Sequence, residues 1–171
     1  MRRLLALCSV VLALLTFTAC AQPIGTVGYI GGQRLSEADV DKAAAAFAKH
    51  GYDRDDTMLF VIEARAARAI MAAKGIASNP TTASAAAEVP QIAALLDDPG
   101  TRDIALGVLD FGDVESRLEG HGMAVALADM VQLDPRYGRL QAVTDASGRT
   151  SYTLTGLSGA EPGALSTTAP R

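Results

Sequence analysis

The chain contains little cysteine, histidine and aromatic side chain: two cysteines, two histidines, four phenylalanines, four tyrosines and no tryptophan among 171 residues. Both cysteines, Cys8 and Cys20, lie within the first 20 residues, so the body of the chain can form no disulfide. Alanine fills 32 positions. Such a core packs helices closely but buries little area per residue, and we therefore expect modest stability.

Residues 1–19 have the organisation of an export signal. Arg2 and Arg3 precede an apolar run from Leu4 to Phe17, and small residues follow this run. The run is too short to remain in a bilayer as a permanent spanning helix. We therefore expect the segment to be cleaved and the protein to be exported.

Two processing outcomes fit this segment. In the first, Phe17-Thr18-Ala19-Cys20 resembles a bacterial lipobox, Cys20 is the lipid attachment site, and residues 20–25 form a lipidated tether. The protein would then be anchored at the outer face of the cytoplasmic membrane or in the cell envelope. In the second, cleavage before Gln22 releases a secreted protein. We favour lipidation, because a lone exposed thiol is a liability in an oxidising compartment.

The remaining chain is acidic, with 13 basic residues against 19 acidic ones once residues 1–19 are removed. This balance disfavours nucleic acid and anionic membrane surfaces as direct partners, since neither would find a basic patch. About 150 residues are enough for one domain with its own core.

Two short segments, residues 26–36 and 130–138, alternate apolar residues with smaller or polar ones and are typical of half-buried strands. Gly31-Gly32 supplies a turn in the first segment. Two lone strands far apart in sequence are most easily stabilised by pairing with each other. The sequence between them is helical in pattern. The expected fold is mainly α, closed by a small β pairing of an N-terminal with a C-terminal strand.

Helix boundaries are marked by caps and glycines. Ser36 and Asp39 form a capping arrangement at the start of the first helix. The second helix is predicted from Asp55 to Lys74, with Glu63 on its polar side. Further helices are predicted after Asn79-Pro80, after Pro90 and after a capping Thr101, and the last is either one interrupted helix or two up to Met130.

A family resemblance rests on this order of elements. Three features carry it: the first strand with its Gly-Gln turn, a long helix that opens with Ser36-Glu37-Ala38-Asp39-Val40-Asp41, and a returning strand, Val131-Gln132-Leu133-Asp134-Pro135-Arg136-Tyr137-Gly138. Together they resemble the N-terminal, peptide-binding domain of SurA-type chaperones, a trigger factor/SurA-like domain, in its short actinobacterial lipoprotein form. The resemblance covers residues 26–140. It implies a domain that binds unfolded polypeptides without ATP. SurA-type chaperones often carry prolyl-isomerase domains after this one, but this sequence has neither the length nor the pattern for such a domain, and we expect no isomerase activity.

After this domain the pattern changes. Residues 141–155 are predicted as a hairpin extension, since two alternating segments flank a turn that contains Ser147-Gly148. Residues 156–171 are rich in Gly, Ser, Thr, Ala and Pro, and we expect them to form a disordered tail.

No constellation of catalytic residues stands out, and we predict that the protein is not an enzyme and uses neither cofactor nor metal. His50 is expected at a helix C-terminus and His121 in a turn. Glu115, Glu119 and His121 share helical spacing but fall short of a defined metal cluster. The glycines of residues 28–32 lack the pattern of a phosphate-binding loop.

The leading hypothesis is therefore an envelope holdase that binds extended apolar segments of exported polypeptides. The candidate peptide-binding residues are Met58, Phe60, Met71 and Met123, because methionines are adaptable and Phe60 lies off the main apolar face of its helix. The alternative is a dedicated interaction module in envelope assembly, such as a homodimer formed by exchange of the first strand.

Overall fold

The computed structural model of the protein describes residues 23–144 and 150–155, apart from the side chains of residues 119–121, 150, 151 and 153. Within these ranges the chain is mainly helical, as the sequence predicts, with small antiparallel sheets. The helices are α1 (Glu37–Phe47), α2 (Arg54–Lys74), α3 (Pro80–Ala86), α4 (Pro90–Asp97) and α5 (Arg102–Met130). The strands are β1 (Thr26–Ile30), β2 (Gln33–Ser36), β3 (Val131–Leu133), β4 (Arg139–Thr144) and β5 (Thr150–Thr155). Cys20, the predicted signal and the predicted tail lie outside the described residues.

The first sheet has the strand order β2-β1-β3 and is antiparallel throughout. The first segment is a hairpin and not a lone strand, because Gly31 and Gly32 adopt φ angles of 57° and 76° and return the chain as β2. β1 therefore lies at the centre of the sheet, with β2 on one side and the distant β3 on the other.

The pairing of β1 with β3 joins parts of the chain about 100 residues apart. The register pairs Gly28 with Leu133 and Ile30 with Val131. Glycine is required at position 28, because a Cβ there would overlap the carbonyl oxygen of Gln132.

The returning strand is shorter than the sequence suggests. Only residues 131–133 are extended, and Pro135–Tyr137 form a 3-10 turn. Proline occupies the first position of this turn, and the Asp134 carboxylate accepts a hydrogen bond from Arg136 N at 3.0 Å. This local bond bends the chain away from the sheet, and the buried Tyr137 donates its hydroxyl hydrogen to Glu37 at the start of α1.

The predicted caps hold at several helix ends. Ser36 and Asp39 form a reciprocal capping box, the Asn79 side chain accepts from Thr81 N at 3.1 Å, and Gly75 ends α2 with a φ of 65°. Thr101 is different: its hydroxyl donates to the Leu95 carbonyl at 2.7 Å, and no side-chain bond caps α5. Thr101 does occupy the N-cap position of α5, as predicted, but its side chain does not cap the helix, because it is fully buried and satisfies the end of α4 instead.

Residues 102–130 form one helix, α5, which decides between the two alternatives that the sequence leaves open. Gly107 lies where α5 meets α2, and a Cβ at this position would be 2.5 Å from the Ala64 Cβ. The glycine thus permits a close approach of two helices. Gly112, in the same helix, faces open space.

This difference gives a paired test. Gly107→Ala should destabilise the fold by about 1–3 kcal/mol, because the added methyl group overpacks the α2–α5 contact. Gly112→Ala should stabilise it by up to about 1 kcal/mol, because alanine favours the helix and meets no neighbour. Urea unfolding of both variants measures the two free energies, and equal shifts would contradict the assigned contact.

Candidate functional site

The four candidate peptide-binding side chains lie in the core. Met58 and Met123 are 0 % exposed, Phe60 is 4 % exposed and Met71 is 9 % exposed. Phe60 is therefore not off the buried face of α2. Its ring packs against Phe47 and Tyr52, with centroid separations of 5.6 and 5.3 Å. In this conformation none of the four residues presents a surface to a polypeptide.

An apolar cleft of about 230 Å³ lies elsewhere, between the C-terminal part of α5, β3 and the β4–β5 hairpin. It is lined by Ala124, Leu127, Ala128, Val131, Leu133, Gly138, Arg139, Leu140, Ala142 and Tyr152. Most of these side chains are aliphatic and small. Small residues on α5 leave room between the helix and the hairpin, which is why the space is open.

One wall of the cleft is an unpaired strand edge. Gly31 N donates to the Met130 carbonyl at 2.8 Å and Asp134 N donates to the Val27 carbonyl at 2.9 Å. In an antiparallel pair, only every second residue forms hydrogen bonds with the neighbouring strand. Gln132 therefore exchanges its hydrogen bonds with β1, and the backbone N–H and carbonyl of Leu133 point away from β1, to the opposite edge. No described strand pairs with that edge, because β3 is last in its sheet. An extended chain in the cleft would find both apolar contacts and backbone partners.

The other wall is the β4–β5 hairpin, whose register pairs Arg139 with Thr155 and Ala142 with Tyr152. Tyr152 packs edge-on against Phe111 of α5, with 5.6 Å between ring centroids. Tyr152 is only 7 % exposed, and its hydroxyl has no hydrogen-bond partner among the described residues. A buried hydroxyl without a partner costs about 1–3 kcal/mol, and because this one is fully shielded it is not available to a ligand in the cleft.

The surroundings of the Tyr152 hydroxyl favour its protonated form. Burial and the negative charge of Glu115 raise the pKa of Tyr152 to about 12. The phenol therefore stays protonated at neutral pH.

Glu115 also interacts with a carboxyl group on α2 that the sequence does not single out. Burial, followed by the charge of Glu115, raises the pKa of Glu63 to about 8, and burial raises the pKa of Glu115 as well. Glu63 is only partly exposed, although helical periodicity assigns it to the polar side of α2. Among the described residues, no three metal-ligating side chains come together, so this pair has no third ligand for a metal ion. The side chains of Glu119 and His121 lie outside the described part of the chain.

The lining of the cleft includes one cation, Arg139. Arg139 is exposed and takes part in none of the ion pairs formed by described side chains. The neighbouring Arg136, by contrast, is bound to Asp134 at 3.1 Å.

A second, shallower pocket of about 300 Å³ is lined by His50, Tyr52, Pro90, Gln91 and Ala94. His50 lies at the end of the first helical segment, as predicted, and its Nε2 is 3.2 Å from Asp98. The Gly100 N–H and the His50 ring both lower the pKa of Asp98. This contact ties the end of α4 to the turn after α1. We assign this contact a structural role, because it joins two segments that are 48 residues apart in the sequence.

Comparison with known proteins returns no match to a family model, to a curated protein or to a solved structure. The described ranges also contain no helix with the length and apolarity needed to cross a membrane. The ligand of the cleft must therefore be inferred from the geometry and chemistry of the cleft itself.

The Glu63 carboxyl group makes stability depend on pH. Its pKa of about 8 in the folded chain exceeds the ordinary value of 4.5, so folding takes up a proton between these limits. Stability therefore falls as pH rises from about 4.5 to about 8. Glu63→Gln should flatten this dependence and raise the free energy of unfolding at pH 8 by about 2–4 kcal/mol, allowing for partial exposure.

Urea unfolding at a series of pH values tests this expectation. Glu88→Gln is the matched control, because Glu88 is an exposed glutamate whose replacement should leave the pH profile unchanged. A Glu63→Gln profile that keeps the original slope between pH 5 and about 8 would contradict the assignment.

Proposed function

We propose that the protein is an ATP-independent holdase of the cell envelope, which binds extended apolar segments of unfolded exported polypeptides in the cleft between α5, β3 and the β4–β5 hairpin. The observation that carries this proposal is the combination of a cavity lined mainly by aliphatic side chains with a strand edge, along one wall, that no described strand pairs with. A bound segment adds a short strand beside β3 and places alternate side chains against the aliphatic lining.

The chemistry of the cleft suits a polypeptide backbone of varied sequence. Leu133 offers its backbone N–H and carbonyl at the outer edge of β3. These contacts are made to the backbone of the client and not to a particular side chain, so they favour binding of polypeptides of many different sequences. The apolar lining adds roughly 25 cal/mol for each Å² of apolar surface that the client buries. Binding of this kind consumes no nucleotide.

Location and charge support the same role. An export signal and a lipidated Cys20 would hold the domain at the membrane surface from which unfolded polypeptides emerge. The net negative charge keeps the protein off nucleic acid and anionic lipid surfaces and helps it to stay soluble with an open apolar cleft. The resemblance to SurA-type peptide-binding domains points the same way.

The alternative, a dedicated interaction module or a strand-exchanged homodimer, has one structural feature in its favour. β1 lies near the N-terminal boundary of the described chain and pairs with β3 across about 100 residues. Exchange would have to move β1 together with β2, since the two form a hairpin, and would break the Glu37 N to Gly25 carbonyl bond of 2.8 Å. Size-exclusion chromatography with light scattering distinguishes a closed monomer from such a dimer.

The decisive experiment fills the cleft. Ala128 is exposed and lines it, so Ala128→Trp should occupy the cavity without disturbing the core. In the chain from Gln22 to Arg171, this variant should lose most of its ability to suppress aggregation of two unrelated unfolding clients. Ala73→Trp is the matched control, because Ala73 is an exposed helical alanine away from the cleft.

Equal suppression by both tryptophan variants would overturn the proposal, as would enrichment of one dominant partner from a lysate without any protection of clients. Tyr152→Phe tests the buried hydroxyl by itself. It should leave the free energy of unfolding unchanged or raise it by about 1 kcal/mol, since an unpaired buried hydroxyl is removed. Urea unfolding measures this change, and a clear loss of stability would show that the hydroxyl has a partner.

A further inference from the structure

The two short helices α3 and α4 are poorly anchored to the rest of the fold. The structure describes both in full; α3 buries no side chain, and α4 buries only Leu95. By contrast, ten of the 21 residues of α2 are buried. Helices of seven and eight residues are too short to persist in water on their own, so α3 and α4 depend on a few contacts for their order.

Polar side chains near the surface hold α3 in place. The Thr82 hydroxyl donates to the Asp113 carboxylate at 2.9 Å, and just before α3 the Ser78 hydroxyl donates to Asp110 at 3.1 Å. Both acceptors belong to α5. Water can replace exposed bonds of this kind when they break, so they add little net stability.

α4 is held mainly at its C-terminal end. The Thr101 hydroxyl donates to the Leu95 carbonyl at 2.7 Å, and His50 Nε2 lies 3.2 Å from Asp98, just beyond the helix. Towards its N-terminal end, α4 contributes Pro90 to the lining of the shallow pocket of about 300 Å³. That space is open, so this part of α4 is not closely packed against the turn after α1.

α4 covers a small cluster of aromatic rings. Leu95 belongs to one apolar cluster with Phe47, Phe60 and Ala105, and Tyr52 packs against it. The rings of Phe47, Tyr52 and Phe60 contact one another, with centroid separations between 5.3 and 5.9 Å. This cluster is separate from the larger core that contains β1 and most of the buried side chains of α2. Loss of α4 would therefore uncover the rings without opening the larger core.

The aromatic cluster is also remote from the cleft. Ala105 lies near the start of α5, and Ala124, the first cleft residue on this helix, follows 19 positions later. This separation is about 28 Å along the helix axis. The cleft and the β1–β3 pairing can therefore remain in place when α4 moves.

We propose that α3 and α4 form a flap, residues 80–97, that opens by local unfolding while α1, α2, α5 and the first sheet stay folded. Opening exposes Phe47, Tyr52 and Phe60 as an apolar surface that the closed form hides. Phe60, a candidate peptide-binding residue from the sequence, is reachable only in the open form. The inference stands independently of the proposed function, because it concerns the end of α5 that lies away from the cleft.

Thiol labelling measures the opening. The chain from Gln22 to Arg171 has no cysteine, so a single thiol can be introduced. Ala105→Cys places it under α4, and Ala66→Cys places it in the larger core; the two alanines are 6 % and 0 % exposed. A small thiol reagent should label Ala105→Cys at least 100-fold faster than Ala66→Cys, because the flap opens more often than the whole chain unfolds. Equal rates at the two sites would overturn the inference.

Hydrogen exchange tests whether the two helices open together. The amides of α3 and α4 should show at least 100-fold less protection than those of α2. Leu95→Ala removes the one buried side chain of the flap, so it should lower the protection of both α3 and α4 at least 10-fold further and leave α2 unchanged. Protection of α3 and α4 equal to that of α2 would overturn the inference, as would an effect of Leu95→Ala that is confined to α4.

Discussion

Backbone pairing between β1 and β3 is the interaction on which the rest of the structure depends. It fixes the C-terminal end of α5 against the start of the chain, and it does so through a glycine, Gly28, that lets the two backbones approach. The turn that follows β3 is held to α1 by the bond between Tyr137 and Glu37. β4 begins directly after that turn, so the position of the hairpin also follows from this pairing. The cleft exists because α5, β3 and the hairpin are held at these positions.

Small residues determine where the fold is dense and where it is open. At the α2–α5 contact, Gly107 and Ala64 bring two helices close together and exclude any cavity. Towards the end of α5, Ala124 and Ala128 line the cleft together with residues of a hairpin whose Tyr152 packs against Phe111 of the same helix. The same residue type therefore produces a tight core in one place and an apolar cleft in another, depending on how closely the opposing element approaches. A chain with few aromatic side chains has little else with which to fill such a gap.

Local signals in the sequence predict the local structure well. The Ser36–Asp39 capping box, the Asn79-Pro80 helix start and the glycine that ends α2 depend on neighbouring residues only, and each is found as expected. Tertiary features are harder. Periodicity assigns one apolar face to α2, but α1, α5 and β1 cover the helix on several sides, so Phe60 and Met58 are buried and Glu63 is partly so.

The cleft itself could not be predicted from the sequence, because its lining comes from an interior helix, a three-residue strand and a hairpin that the sequence does not place beside one another. The most direct test of the account is to map where an extended polypeptide binds. A client peptide carrying a photoreactive group is cross-linked to the chain, with and without excess unlabelled peptide, and the modified residues are identified by mass spectrometry. The account predicts competable cross-links at Leu127, Leu133 and Leu140. Cross-links centred on Tyr52 and Ala94, or spread evenly over the surface, would contradict it.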